Sequence, residues 1–209
     1  MGAFAVLAAL LLAAPAGSPP LAGHYRIHVH EAASELVLHP NGRFEYALAY
    51  GALDEEATGR WRRVGNHILL TTTPKPVAAS FSAGKSAHIA EAPLALHATW
   101  PNGRGIPGMD FRVDFDSGPP FVDYINNDEG WQLDPAEKRR PVAVTLSFTM
   151  YNLVSQRFPI DVAKANDLTF ILTPNDLGRF DFEDTPLDIA PGKLVMHRNG
   201  HTIDYVRER

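Results

Sequence analysis

Apolar residues recur at every second position through most of this chain, and that period restricts what it can fold into. In RFEYALAY (43–50), Phe44, Tyr46, Leu48 and Tyr50 share one face, and Arg43, Glu45, Ala47 and Ala49 share the other. In MDFRVDFD (109–116), Met109, Phe111, Val113 and Phe115 alternate with Asp110, Arg112, Asp114 and Asp116. HILLTTT (67–73), PVAVTLSF (141–148), LTFIL (168–172), GKLVMHR (192–198) and HTIDYVR (201–207) continue the pattern. Alternation with one polar face is the mark of half-buried antiparallel strands. Turn residues punctuate the runs at Asn41-Gly42, Gly65-Asn66, Asn102-Gly103, Asp116-Ser117-Gly118, Pro191-Gly192 and Asn199-Gly200. The tetrapeptide PNGR stands at both 40–43 and 101–104, but its flanks differ. It is therefore one hairpin turn used twice and not an internal repeat. Seventeen prolines disfavour long helices. Only DPAEKRR (134–140) and DVAKAND (161–167) have the composition for a helical turn. The expected fold class is all-β, an antiparallel barrel-like meander interrupted by a β-sandwich module.

At 209 residues the chain holds one sizeable domain or two small ones. The strand pattern weakens over 73–93, which is rich in Pro, Ala and Ser, and turn residues gather again over 173–186. Three stretches result: 23–73, 94–173 and 180–209. The last is too short to fold alone and should complete the first, giving a meander over 23–73 plus 180–209 around a sandwich over 94–173. Residues 1–16, MGAFAVLAALLLAAPA, are an apolar run ending in Ala14-Pro15-Ala16. They are expected to be a secretory signal peptide, with a retained anchor as the alternative. The run falls short of the roughly 20 apolar residues of a spanning helix, so no membrane span is expected in the mature chain. The chain has no cysteine, which excludes disulfides, thiolate metal sites and a thiol nucleophile. An exported protein without disulfides fits a bacterial periplasm or cell surface. Net charge is −5, and RWRR (60–63) is a short basic cluster with no wider basic patch around it in sequence, so no nucleic-acid partner is expected.

Gly23-His24-Tyr25, then ELVLHPNGRFEYAL, then the Gly59-Arg60-Trp61 of GALDEEATGRWRRVGNHILLTT, give the order G-x-aromatic, strand, Asn-Gly turn, strand, G-x-Trp, turn, strand. This resembles the meander of small lipocalin-like or avidin-like barrels. The resemblance implies that HTIDYVRER closes the barrel beside the first strand, with Arg207 packed over Tyr25. The middle stretch, LALHATWPNGRGIPGMDFRVDFDSG followed by VDYINNDEGWQL, is similar to transthyretin-like sandwich modules, such as the regulatory domains of carboxypeptidases. That resemblance implies a structural or adhesive role. The Thr usual before the Asp-Gly turn is absent, and Tyr124 and Asn126 stand nearby instead.

Candidate site residues fall into three groups. Phe44, Tyr46, Tyr50 and Trp61 would line a small-ligand cup if they face a barrel lumen, since Tyr and Trp combine stacking area with a polar tip. The alternative is that they fill a small barrel. His24, His28 and His30 share a strand face and are the candidate metal ligands, although i and i+2 imidazoles start roughly 6.5–7 Å apart. The alternative is a His-rich solvent face. Acidic clusters at 53–59, at Asp114 and Asp116, at Asn126, Asp128 and Glu129, and over 180–188 lack the spacing of a calcium loop and read as solvated turns. No serine stands in a G-x-S-x-G frame, no H-E-x-x-H occurs, and NGRGIPG lacks the ending of a phosphate-binding loop. The functional expectation is an exported, non-enzymatic β protein that needs no cofactor. Its role would be structural, or the binding of a small ligand or an envelope protein. The alternatives are a carboxylate-dependent hydrolase and metal capture by the three histidines.

Overall fold

The computed structural model describes residues 21–27, 32–198 and 200–208. The chain is all-β. It begins as a meander of β1 (Gly23–Arg26), β2 (Ala32–Leu38), β3 (Arg43–Tyr50), β4 (Leu53–Val64) and β5 (His67–Thr72). It then leaves to build β6 (Ser80–Ala87), β7 (Ala95–Thr99), β8 (Met109–Phe115), β9 (Phe121–Ile125), β10 (Trp131–Gln132), β11 (Pro141–Phe148), β12 (Leu153–Val154), β13 (Phe158–Pro159) and β14 (Asp167–Thr173). It returns as β15 (Thr185–Ala190), β16 (Lys193–Arg198) and β17 (His201–Arg207). Among the described residues the one helical element is a 3₁₀ turn at Thr149–Tyr151, and 134–140 and 161–167 each hold a single hydrogen-bonded turn that does not extend into a helix.

Eight strands close an antiparallel barrel in the order β1-β17-β16-β15-β5-β4-β3-β2. β15 pairs with β5, with Thr185 opposite Leu70 and Asp188 opposite His67, so the returning chain resumes where the meander stopped. The seam closes through Tyr25 opposite Arg207 and Arg26 opposite Val206. The Arg207 guanidinium lies 6.0 Å from the Tyr25 ring centroid and donates to the Ala22 carbonyl at 2.7 Å, which is the arrangement expected of this pair. Period-two alternation sends Leu36, Leu38, Phe44, Ile68, Leu70, Leu187, Leu194 and Met196 inward, all buried. Gly59 is required by close approach: a Cβ there would lie 2.1 Å from the Thr71 carbonyl oxygen and 2.7 Å from the Phe44 ring.

The second module is two facing sheets, ordered β10-β7-β14-β6 and β12-β11-β8-β9, with β13 also on β11. Their inner faces share one core: Leu96, Phe170 and Leu172 from one sheet meet Met109, Phe111, Val113, Val144 and Leu146 from the other. Two details depart from the pattern-based expectation. β6 is a true edge strand inside the stretch that reads as a weak boundary, because its register comes from β14 and not from its own Ala and Ser residues. β7 and β14 pair in parallel, since the whole of the second sheet lies between them in sequence.

Candidate functional site

The barrel has two unlike ends. At one, the turns 39–42, 65–66 and 191–192 gather. At the other, the β3–β4 turn, the β16–β17 turn and the two crossings to the second module gather. The second end is occupied by the returning segment. Glu56 N–H donates to the Gly178 carbonyl and Phe180 N–H to the Glu56 carbonyl, each at 2.8 Å, so 178–180 runs beside β4 where β5 has ended. Thr72 then fixes the segment: its hydroxyl donates to the Phe180 carbonyl at 2.9 Å and accepts from the Phe182 N–H at 2.9 Å. This places the Phe182 ring in the lumen, edge-on to Phe44 at 5.6 Å and to Tyr46 at 5.0 Å. Phe180 lies one step nearer the mouth, 4.6 Å from Phe182.

Above Phe180 sits a polar group of the barrel interior. The Arg198 guanidinium stacks on the Phe180 ring at 4.0 Å. It donates to both oxygens of Glu55, at 2.6 and 2.8 Å, and to the Tyr46 hydroxyl at 3.3 Å. The Tyr205 hydroxyl meets Ser34 at 2.9 Å, and Ser34 donates to the Ala47 carbonyl at 2.6 Å. The single Ser34 proton goes to Ala47, so Tyr205 donates to Ser34. Burial holds the Tyr46 hydroxyl well above the usual phenol range, with Tyr205 and Glu55 adding to the rise and Arg198 opposing it. Burial likewise raises Tyr205, and its hydrogen bond with Ser34 opposes the rise. Both phenols are therefore neutral donors and acceptors at physiological pH.

A cavity of about 680 Å³ opens beside this group, lined by Ile27, Leu48, Leu53 and Ile203 with Tyr50, Arg198, His201, Thr202 and Asp204 at its polar side. Apolar walls with a few fixed polar groups are the usual composition of a small-molecule site.

The candidate aromatics divide between the two ends of the barrel. Phe44 and Tyr46 face the lumen and are buried, Phe44 packing below the cup and Tyr46 holding Arg198. Tyr50 lines the cup and is 53 % exposed at its rim. Trp61 is at the opposite end, its indole N–H donating to the His39 carbonyl at 2.9 Å. Of the candidate metal ligands, His28 and His30 lie outside the described residues. His24 is on the outer face, 2.9 Å from Glu208 and 3.3 Å from Glu35, both of which also pair with Arg26. Among the described residues no three His, Asp or Glu side chains are disposed to hold a metal ion.

The acidic clusters go to separate places. Asp114 is clasped by Arg112 and Arg157, each at 2.7 Å, and those hydrogen bonds, Arg157 first, hold its carboxyl below the usual range. Asp116 faces Arg140, and Asp184 accepts from Thr71 and Arg62. On the outer barrel face, Asp188 pairs with His197 at 3.2 Å and His67 at 2.7 Å, and these hydrogen bonds, His197 first, keep its carboxyl low.

Arg198, Tyr205 and Ser34 were not among the sequence candidates, and Glu55 stood only within the acidic cluster 53–59, which reads as solvated. A signal for two of them existed: Glu55 stands in phase with Leu53 and Ala57, and Arg198 in phase with Leu194 and Met196, so each strand carries a charge in its inward phase. No protein-family model, curated protein or solved structure matches the chain.

Proposed function

We propose that this chain is an exported, non-catalytic binding protein whose barrel mouth takes the apolar body of a small molecule. The observation that carries this reading is the cavity of about 680 Å³ with Ile27, Leu48, Leu53 and Ile203 as apolar walls and Arg198, His201, Thr202 and Asp204 as its polar groups. The lower lumen is closed by Phe44 and Phe182, so the cup is a blind one, with its floor set by the returning segment. The Arg207–Tyr25 contact across the seam supports a likeness to lipocalin-like barrels, and the facing sheets of the second module support a likeness to transthyretin-like sandwiches. The second module would then act as a scaffold that delivers Phe180 and Phe182 to the cup.

The test is saturable binding of the neutral fluorophore N-phenyl-1-naphthylamine. The chain should bind about one equivalent, and Leu53→Trp, which fills the cup, should abolish the signal while the far-ultraviolet circular dichroism stays the same. Absence of saturable binding by the native chain would sink the reading.

A further inference from the structure

Arg198 and Leu53 do not belong to the cup alone. Both also line a second cavity, of about 790 Å³, between the barrel mouth and the second module. Two residues thus form the partition between the cup and a cleft that carries several charged side chains. The cleft carries three cations, Lys75, Arg179 and Arg198, and three carboxylates, Glu55, Asp176 and Asp181. They are interleaved as pairs: Arg198 with Glu55, Arg179 with Asp176 at 3.4 Å, and Lys75 with Asp181 at 3.4 Å.

We infer that cup and cleft form one composite site for an elongated amphiphile, with a single apolar chain in the cup and a zwitterionic head group in the cleft. This rests on the reading of the cup as a ligand site. A head group in the cleft lies against both signs of charge. A net anion there meets three carboxylates and a net cation meets three basic groups, whereas a zwitterion places each of its charges beside an opposite one.

The anionic group of the head seats on Arg198. A guanidinium has five N–H donors. Among the described residues Glu55 takes two and Tyr46 a third, which leaves the Nε–H and one Nη2–H for a ligand. Phe180 and Tyr46 hold the guanidinium in place from the barrel side, so it is positioned before a ligand arrives.

Three probes with the same tail separate the components: decylphosphocholine, decyl sulfate and 1-decanol, each titrated calorimetrically below its micelle concentration. The native chain should bind decylphosphocholine at least about ten-fold tighter than either of the others, a difference of about 1.4 kcal/mol. Ala78→Trp narrows the cleft from an exposed position that does not line the cup. It should remove that preference while N-phenyl-1-naphthylamine still binds. Arg198→Gln should remove the preference as well. Equal binding of the three probes, no binding of any of them, or a preference that survives Ala78→Trp would overturn the composite site. In each of these cases, retained naphthylamine binding leaves the cup reading standing, and its loss in the native chain removes both.

Discussion

Arg198 and Glu55, 143 residues apart in sequence, meet in a two-pronged ion pair at 2.6 and 2.8 Å in the barrel mouth. Both side chains are largely shielded, at 21 % and 12 % exposure. Removing one partner leaves the other charge poorly solvated, and this costs more than removing both. Arg198→Met should lower stability by about 1.5–3 kcal/mol, the range for hydrogen bonds to charged groups. The double variant Arg198→Met with Glu55→Met should be destabilised by less than the sum of the single changes. Urea denaturation of the four proteins measures the coupling, and strict additivity would contradict it.

The Phe182 ring is the plug of the lumen, edge-on to Phe44 and Tyr46. It is 1 % exposed and comes from outside the eight barrel strands. Phe182→Ala should cost about 3–5 kcal/mol through lost burial and the cavity left behind. The urea midpoint should fall with little change in slope, because the surface exposed on unfolding is nearly the same.

What was legible in the sequence is what local period and turn chemistry determine. The alternation of RFEYALAY places Phe44 and Tyr46 inward, and the Asn41-Gly42 turn joins β2 to β3. The cup chemistry depended on a choice that period alone does not make. LDEEATG reads as a solvated acidic loop, yet it pairs with β3 residue by residue, and Leu53 and Ala57 in that strand turn Glu55 inward. Tyr50 and Trp61 share an inward phase but sit at opposite ends of adjacent antiparallel strands, where a common face does not mean a common site. β6 has one buried large residue, Phe81, and obtains its register from β14, a long-range partner that no local pattern encodes.

Gly59 should not tolerate even a methyl group. The Cβ of an alanine would stand 2.1 Å from the Thr71 carbonyl oxygen, a backbone atom of β5, and 2.7 Å from the Phe44 ring. Forced overpacking of this kind costs about 1–3 kcal/mol. Gly59→Ala should therefore lower the thermal midpoint, and adding Phe44→Leu should not restore it, because the backbone clash with β5 remains. Rescue by Phe44→Leu would show that the ring sets the limit and not the strand.

Glu137 should titrate far below an ordinary glutamate. Arg139 donates to it through Nη2 at 2.6 Å, Nε at 3.0 Å and its backbone N–H at 2.8 Å. These hydrogen bonds, the side-chain ones first, hold its carboxyl at about 2. The same guanidinium stacks on Phe115 at 4.1 Å and donates to the Pro119 carbonyl at 2.7 Å, so the pair fastens 134–140 to the second module. The folded value lies below the unfolded one, so the ionised form is the one the fold favours. Its contribution to stability is complete above about pH 4.3, the unperturbed glutamate value, and fades as the pH falls towards 2. Carbon-13 titration of the Glu137 carboxyl should give a midpoint near 2. The stability difference between the native chain and Glu137→Gln should shrink over the same interval. A midpoint in the ordinary carboxylate range would mean that the clasp with Arg139 does not persist in solution.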